Sequence, residues 1–343
     1  MKLLMISTDR KIFEEGSAVR LRMAEYARNF DEMHIIVFSP SSYREIFISS
    51  NCWAYPTRSR SKWLYPLDAI RLGRFIISRR GITEITCQDP FLTAMAGISL
   101  KNQFNIPLEI QVHTDIGSPY FTKSFGNRLR KSLALSYLWR ADLIRVVSKK
   151  IKEYLIGTLG IPEVAVEVRP ISVDTVKIKD SPILPAADLR ITNPQFSDIV
   201  LMASRLEREK NIQLAIKAWP AVLEKIPTAG LLIVGSGSEG TALSNLVEKL
   251  GLSKSIVFEK WADQATLMSY YKTASLFLNT SWYEGYGMTL VEAKSAGCLV
   301  VSTDVGVARE IGAVITSFDF ADVARAILSA LRLKGGNVRS TNI

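Results

Sequence analysis

Two carboxylates, Glu284 and Glu292, stand eight positions apart in Ser281-Trp282-Tyr283-Glu284-Gly285-Tyr286-Gly287-Met288-Thr289-Leu290-Val291-Glu292-Ala293. On one continuous helix, steps of about 100° would leave them roughly 80° apart, and Gly285 and Gly287 disfavour helix at that point. The spacing therefore predicts Glu284 on a loop and Glu292 inside a helix that starts near Met288 or Thr289. The open amides and positive dipole end of such a helix suit a phosphate beside Glu284. A carboxylate one turn in can accept hydrogen bonds from two neighbouring hydroxyls, as on a ribose. Two cations fit the same chemistry: Arg205 ends the apolar run from Asp198, and Lys210 precedes a helix from about Gln213. A guanidinium and an ammonium there would neutralise a diphosphate leaving group. The plainer alternative is a solvated loop glutamate and a helix-face glutamate, the usual setting of this residue.

Three further features could carry chemistry. His113 closes the strand-like run Leu108–Asp115, where an imidazole can hydrogen-bond a substrate hydroxyl or carry a proton; His34, at the start of another run, reads as a packing residue. Gly16, after the first run, would let backbone approach a ligand or simply make a turn. Gly235-Ser236-Gly237-Ser238-Glu239-Gly240 follows Leu231–Val234, with Glu259 nineteen residues beyond, which meets the dinucleotide-binding spacing. That motif supports a rival reading, an NAD(P)-binding oxidoreductase. Against it, the motif falls in the second strand-turn-helix unit of its half rather than the first, and hydride chemistry gives no role to Arg205, Lys210 and the Glu284 turn. Trp261-Ala262, after the run Ser255–Lys260, could flank a nucleobase.

Apolar runs that could be strands alternate with helical spacings: Lys2–Ser7, a helix over Ala18–Ala27, then His34–Phe38, a pattern that predicts a parallel sheet. Leu143–Ser148 and Val164–Pro170 close this first sheet. Residues 174–198, with Pro182, Pro185 and Pro194, read as a linker. A second set of runs opens at Asp198 and ends with a helix over Ala321–Leu333. The expected domains are 1–173 and 199–333, with 334–343 a polar tail.

The 343 residues suffice for two cores, and a mean hydropathy of +0.13 indicates a globular chain. No apolar run approaches the roughly 20 residues needed to span a bilayer. Three scattered cysteines, Cys52, Cys87 and Cys298, have no metal spacing and fit a reducing, cytosolic compartment. The net charge of +10 is uneven: residues 1–180 carry 27 basic against 18 acidic side chains, and residues 181–343 carry 16 against 15. Within the first half, 53–65 interleaves Trp53, Tyr55, Arg58, Arg60, Lys62, Trp63 and Tyr65, which suits lipid headgroups, single-stranded nucleic acid or an ordinary solvated loop. Residues 123–140 read as a basic amphipathic helix that either rests on an anionic membrane or covers the sheet.

Taken together, Arg205 with Lys210, the Gly235-Ser236-Gly237 turn and Glu284–Ala293 resemble the retaining GT-B glycosyltransferases, in particular family 4. The resemblance is close over the second half and extends through Gly16, His113 and Val147-Ser148 in the first. It implies an α/β fold of two Rossmann-like domains facing across a cleft, with a nucleoside diphosphate sugar held by the second domain and a saccharide or lipid-linked hydroxyl acceptor by the first. By position, Glu292 would bind the ribose, Arg205 and Lys210 the diphosphate, and Glu284 with the amides of Gly285, Tyr286, Gly287, Met288, Thr289 and Leu290 the sugar and β-phosphate. Gly16, Gly235, Trp261 and Ala262 would complete the donor site, and His113 would approach the sugar. No Asp-x-Asp occurs in the chain, in line with metal-independent phosphate stabilisation and no cofactor. The departures are Glu15 before Gly16, where the family often has a second glycine, and Ile171-Ser172, where Asn-Gly is common. The expectation is a cytoplasmic, membrane-peripheral enzyme that makes cell-surface polysaccharide or glycolipid and does not bind nucleic acid; a non-catalytic nucleotide-sugar-binding protein is a further alternative.

Overall fold

The computed structural model describes residues 1–183, 196, 198–260 and 262–339. The chain divides into two compact units, Met1–Pro170 and Ile171–Ile343.

The first unit contains β1 (Lys2–Ser7), α1 (Ala18–Tyr26), β2 (Glu32–Val37), β3 (Ile46–Ser49), β4 (Cys52–Pro56), α2 (Tyr65–Arg80), β5 (Glu84–Cys87), α3 (Leu92–Phe104), β6 (Leu108–Val112), α4 (Phe125–Leu138), β7 (Leu143–Val146), α5 (Lys149–Gly157) and β8 (Val166–Val168). The strands form an eight-stranded sheet in the order β3-β4-β2-β1-β5-β6-β7-β8. Every pairing is parallel except the edge hairpin β3–β4. Parallel strands covered on both faces must be apolar almost throughout, and β1 from Leu3 onward and all of β6 are buried. Trp53 and Tyr55 of the aromatic-basic stretch lie on β4, whose alternating burial marks a strand near the sheet edge. His34 is fully buried: it stacks on Trp53 at 4.9 Å and hydrogen-bonds Tyr55 and Glu32, each at 3.0 Å.

The second unit contains α6 (Thr175–Asp180), β9 (Asp198–Ala203), α7 (Ile212–Leu223), β10 (Ala229–Val234), α8 (Gly240–Lys249), β11 (Ile256–Glu259), α9 (Gln264–Thr273), β12 (Leu276–Asn279), α10 (Met288–Ser295), β13 (Val300–Thr303), β14 (Val314–Thr316) and α11 (Phe320–Arg339). Its parallel sheet runs β11-β10-β9-β12-β13-β14. After β11 the chain crosses back to lay β12 beside β9, so the strand order reverses between those two strands. In open α/β sheets the crevice outside the carboxyl ends of such a strand pair is where ligands bind.

Three boundaries differ from the sequence reading. The first unit ends at Pro170, and α6 already forms within the stretch expected as linker; residues 184–195 and 197 of that stretch lie outside the described residues. The last helix continues past Leu333 to Arg339 rather than giving way to a polar tail, and 340–343 lie outside the described residues. β14, three residues long, lies in a stretch for which the sequence predicted no element.

Candidate active site

The second unit brings the predicted residues to the carboxyl ends of β9 and β12. Lys210 stands in a short 3-10 turn, Arg208–Lys210, after β9. Glu284 stands on the loop after β12. Lys210 Nζ and Glu284 Oε1 are 2.6 Å apart, and the two side chains are only 14% and 17% exposed. The sequence reading gave these two residues separate tasks; the fold pairs them across the strand-order reversal.

Behind this pair lies a layer of buried small polar residues that sequence reasoning missed. Ser281 Oγ is 2.7 Å from both Glu284 Oε1 and Asn279 Oδ1. Asn279 in turn donates to Ser302 Oγ at 3.0 Å, and Thr303 donates to the Ser281 carbonyl at 2.7 Å. The Thr280 hydroxyl reaches the Asn211 carbonyl at 3.1 Å and that of Lys210 at 3.2 Å. All five of these side chains are buried. The network fixes both partners of the ion pair from below, since Thr280 holds the backbone of Lys210 and Ser281 holds the carboxylate of Glu284. The available signal was a cluster of Ser, Thr and Asn at the end of each apolar run.

The glycine turn performs as its spacing predicted. Gly287 has φ of +91°, a left-handed conformation, and serves as the N-cap of α10 with no side-chain cap. The helix dipole therefore opens beside Glu284 with its first-turn amides uncapped by any side chain. The Leu290 amide, however, donates to the Gly287 carbonyl at 3.0 Å, and its side chain is fully buried against Gly287. Leu290 thus anchors the turn, which leaves Gly285 to Thr289 as the stretch with amides available to a ligand. Tyr286 accepts from the Val307 amide at 2.9 Å, and a Cβ on Gly306 would lie 2.2 Å from the Tyr286 carbonyl. Gly306, whose φ is +51°, is therefore a second glycine that this turn requires.

Glu292 lies on α10 at the wall of a cavity of about 390 Å³, shared with Met288, Met268, Gln264, Val173 and Ile178. One of its oxygens takes the Tyr271 hydroxyl at 3.2 Å; the other makes no hydrogen bond among the described residues. Burial raises the Glu292 pKa and the Tyr271 hydrogen bond partly offsets this. The same burial, with the nearby Glu292 charge, holds the Tyr271 hydroxyl well above its usual range. A half-buried carboxylate with an unspent oxygen, in a cavity it shares with Asp174, Gln264, Ser172 and Ser181, is suited to a pair of ribose hydroxyls.

The remaining expected site residues are less convergent. Arg205 is 64% exposed and pairs with Glu209 at 2.9 Å, one helical turn along the chain. Glu209 also receives the Trp282 amide on its carbonyl at 2.8 Å, which ties the Arg205 loop to the Glu284 loop. The Gly235 amide donates to the Glu259 carbonyl at 2.9 Å. A Cβ on Gly237 would lie 2.4 Å from the Leu206 carbonyl oxygen. The Gly235–Gly240 turn is thus packed against the β9–α7 loop, to which Glu207 also bonds Ser238 at 2.7 Å. Glu259, the acid the dinucleotide reading needs for a ribose, accepts the Tyr270 hydroxyl at 2.6 Å. Ala262 is partly buried against the core of this unit, and Trp261 lies outside the described residues.

In the first unit, Gly16 has φ of +72° with open space around a built Cβ, so the conformation rather than a close approach explains the glycine. His113 follows β6. Its Nε2 is 3.0 Å from Gln111 Oε1, while Gln111 Nε2 donates to Thr86 Oγ1 at 2.9 Å and Glu109 Oε1 at 3.1 Å. With the amide nitrogen committed to two acceptors, Gln111 presents oxygen to His113, which makes Nε2 the protonated nitrogen and leaves Nδ1 as an acceptor. The ring keeps solvent access, yet the protein mass around it, followed by the charges of Arg145 and Arg22, pushes its pKa down to about 4.

Both halves of the chain match known families: residues 190–337 match Glycosyl transferases group 1, and residues 20–177 match Glycosyltransferase Family 4. Each half is thus similar to a glycosyltransferase domain family. An uncharacterized glycosyltransferase of Methanocaldococcus jannaschii is 28% identical over 233 residues, 66% of this chain and 59% of that protein. Poly(glycerol-phosphate) alpha-glucosyltransferase of Bacillus subtilis is 31% identical over 160 residues, 45% of this chain and 23% of its own length. Alpha-monoglucosyldiacylglycerol synthase of Streptococcus pneumoniae is 25% identical over 228 residues, 64% and 51% respectively. The chain therefore spans from about a quarter to six-tenths of the length of these relatives. The GT-B fold extends over nearly the whole chain. Anabaena HepE in complex with UDP superposes with a TM-score of 0.73 at 19% identity, covering 97% of this chain and 90% of that one. Sucrose-phosphate synthase of Thermosynechococcus elongatus gives 0.75 at 20% identity, with the same coverage.

Proposed function

We propose that the protein transfers a hexosyl group from a nucleoside diphosphate sugar to a hydroxyl acceptor, a lipid-linked or growing saccharide of cell-surface polysaccharide or glycolipid synthesis, with retention of anomeric configuration. The observation that carries this reading is the Lys210–Glu284 pair at the strand-order reversal, beside the uncapped amino end of α10. In this account Glu292 binds the ribose, and Lys210, Arg205 and the α10 amides take up the diphosphate charge without a metal or cofactor. The acceptor oxygen bonds to the anomeric carbon on the face from which the diphosphate departs. The bond from that carbon to the β-phosphate oxygen breaks, and the acceptor proton passes to that oxygen. Glu284 keeps Lys210 in place and faces the sugar, while neutral His113 offers Nδ1 to a sugar hydroxyl. The reading fits relatives whose names describe glucosyl transfer to poly(glycerol phosphate) and synthesis of glucosyldiacylglycerol.

We further infer that the protein works at an anionic membrane surface on the cytoplasmic side. No helix of the described residues is long and apolar enough to cross a membrane. α4 instead exposes Phe125 and Leu129, with Trp139 just beyond it and Arg128, Arg130 and Lys131 along it, a combination suited to headgroups. The test is release of nucleoside diphosphate from a panel of nucleoside diphosphate sugars, in the presence of polyprenyl-phosphate-linked or diacylglycerol acceptors in anionic vesicles. Turnover with one donor, with the product's anomeric configuration matching the donor's by NMR, supports the reading. Donor binding without turnover on any acceptor favours the non-catalytic alternative.

A further inference from the structure

The first unit holds a cavity of about 700 Å³ at the carboxyl end of β4 that the sugar-transfer account does not use. Three guanidinium groups line it. Arg58 sits at φ of +53°, a left-handed conformation costly for a non-glycine residue, and its Nε donates to the Tyr43 carbonyl at 3.1 Å. That bond pins the side chain while its terminal nitrogens make no hydrogen bond among the described residues. Arg60 and Arg71, also on the wall, form neither ion pair nor hydrogen bond among the described residues. Glu45 and Asp68 share the cavity and pair with none of the three within the described structure.

Three guanidinium groups with unspent donors are the chemistry that recognises phosphate. The two carboxylates reduce the local excess to one positive charge, which one phosphodiester balances and a polyanion would overload. The same cavity has an apolar side. Leu64 and Phe75 line it; Trp63, 91% exposed, directly precedes Leu64 in the chain, and Leu67, 57% exposed, lies in the first turn of α2. Exposed aromatic and aliphatic side chains next to an anion pocket fit a hydrocarbon chain leaving the phosphate. We propose that this pocket binds the phosphodiester group of an amphiphile, with the phosphate between Arg60 and Arg71 and the chain along Leu64 and Phe75. The pocket belongs to the first unit, whereas Lys210, Glu284 and Glu292 belong to the second, and it does not depend on the sugar-transfer reading.

The probe is dihexanoyl phosphatidylglycerol, held below its micelle concentration and titrated into the full chain with intrinsic tryptophan fluorescence and calorimetry as readouts. Dihexanoyl phosphatidylcholine, glycerol 3-phosphate and inorganic phosphate are titrated in parallel. The expected result is saturable binding of the anionic lipid that the double variant Arg60→Ala/Arg71→Ala weakens about ten-fold or more, given the strength of charge-assisted hydrogen bonds. Leu64→Ser/Phe75→Ser should weaken the lipid but leave glycerol 3-phosphate unchanged, which separates a lipid from a free phosphate ester as the source. Equal binding of glycerol 3-phosphate and the lipid would assign the site to soluble esters and overturn the amphiphile. No binding by the wild type, or an affinity that the arginine substitutions leave unchanged, would overturn the site altogether. Nucleoside diphosphate binding, followed on the same samples, shows that each variant is folded and tests the other site separately; Arg60→Lys/Arg71→Lys should retain part of the lipid affinity.

Discussion

Lys210 Nζ lies 2.6 Å from Glu284 Oε1 although 74 residues separate them in the chain. The pair straddles β9 and β12, the two strands between which the sheet order reverses. Each partner is therefore held by a different crossover, and removing one leaves the other charge largely buried. Lys210→Ala is expected to weaken nucleoside diphosphate binding by about ten- to a hundred-fold, the equivalent of one charge-assisted hydrogen bond of roughly 1.5–3 kcal/mol. A double-mutant cycle with Glu284→Gln should give a coupling of at least about 0.5 kcal/mol in thermal or denaturant unfolding; additivity would mean that the two side chains do not interact in solution.

Glu292 is predicted to act through its charge. Glu292→Gln keeps an acceptor for Tyr271 but loses the anion, and donor affinity should fall by about ten-fold. Because burial raises its pKa, acidification should weaken donor binding in the wild type by protonating this group. The pH dependence of the dissociation constant should lose that limb in the Gln variant. A limb that persists in Glu292→Gln belongs to another group.

The chain has two histidines, His34 and His113, so both rings are separable by NMR. His113 is expected to titrate near the value of about 4 and to carry its proton on Nε2 at neutral pH. Its pKa lies below that of an unfolded histidine, about 6.5, so between these values the unfolded chain binds more protons. Its contribution to stability is complete above about pH 6.5 and is lost as pH falls toward 4. Gln111→Glu, which places a carboxylate at Nε2, should raise the pKa; an unchanged titration would show that the Gln111 contact does not orient the ring.

How far these residues were legible in the sequence follows from their physics. Glu284, Gly287 and the start of α10 were legible because glycine punctuation and helix periodicity are local. The division into two α/β halves was legible because buried parallel strands such as β10 must be continuous apolar runs. The Lys210–Glu284 contact was not, since it depends on which strands become neighbours. Nor was the layer of Asn279, Thr280, Ser281, Ser302 and Thr303, because small polar residues at strand ends look like ordinary loop starts until their partners are placed. β4 was hidden because Trp53 and Tyr55 were read together with the following Arg58, Arg60 and Lys62 as one surface segment. Its alternation was nevertheless present, with Cys52, Ala54 and Pro56 buried and Trp53 and Tyr55 between them.

The Gly235–Gly240 turn gives a discriminating variant. In the structure Gly237 is required because the Leu206 backbone occupies the space of its side chain. Gly237→Ala should therefore lower stability by about 1–3 kcal/mol through overpacking, shifting the unfolding midpoint of the apo protein. A nicotinamide reading predicts instead an apo protein of unchanged stability and NADH fluorescence enhancement that the variant abolishes.

The most direct test of the account is isothermal titration of UDP, GDP and ADP into the wild type, Lys210→Ala and Glu292→Ala, with NADH as the control ligand. The predicted result is one nucleoside diphosphate bound with one-to-one stoichiometry, at least about ten-fold more weakly by either variant, and no heat with NADH. Equal affinity in wild type and both variants, or binding of NADH alone, would contradict the donor site at Lys210, Glu284 and Glu292.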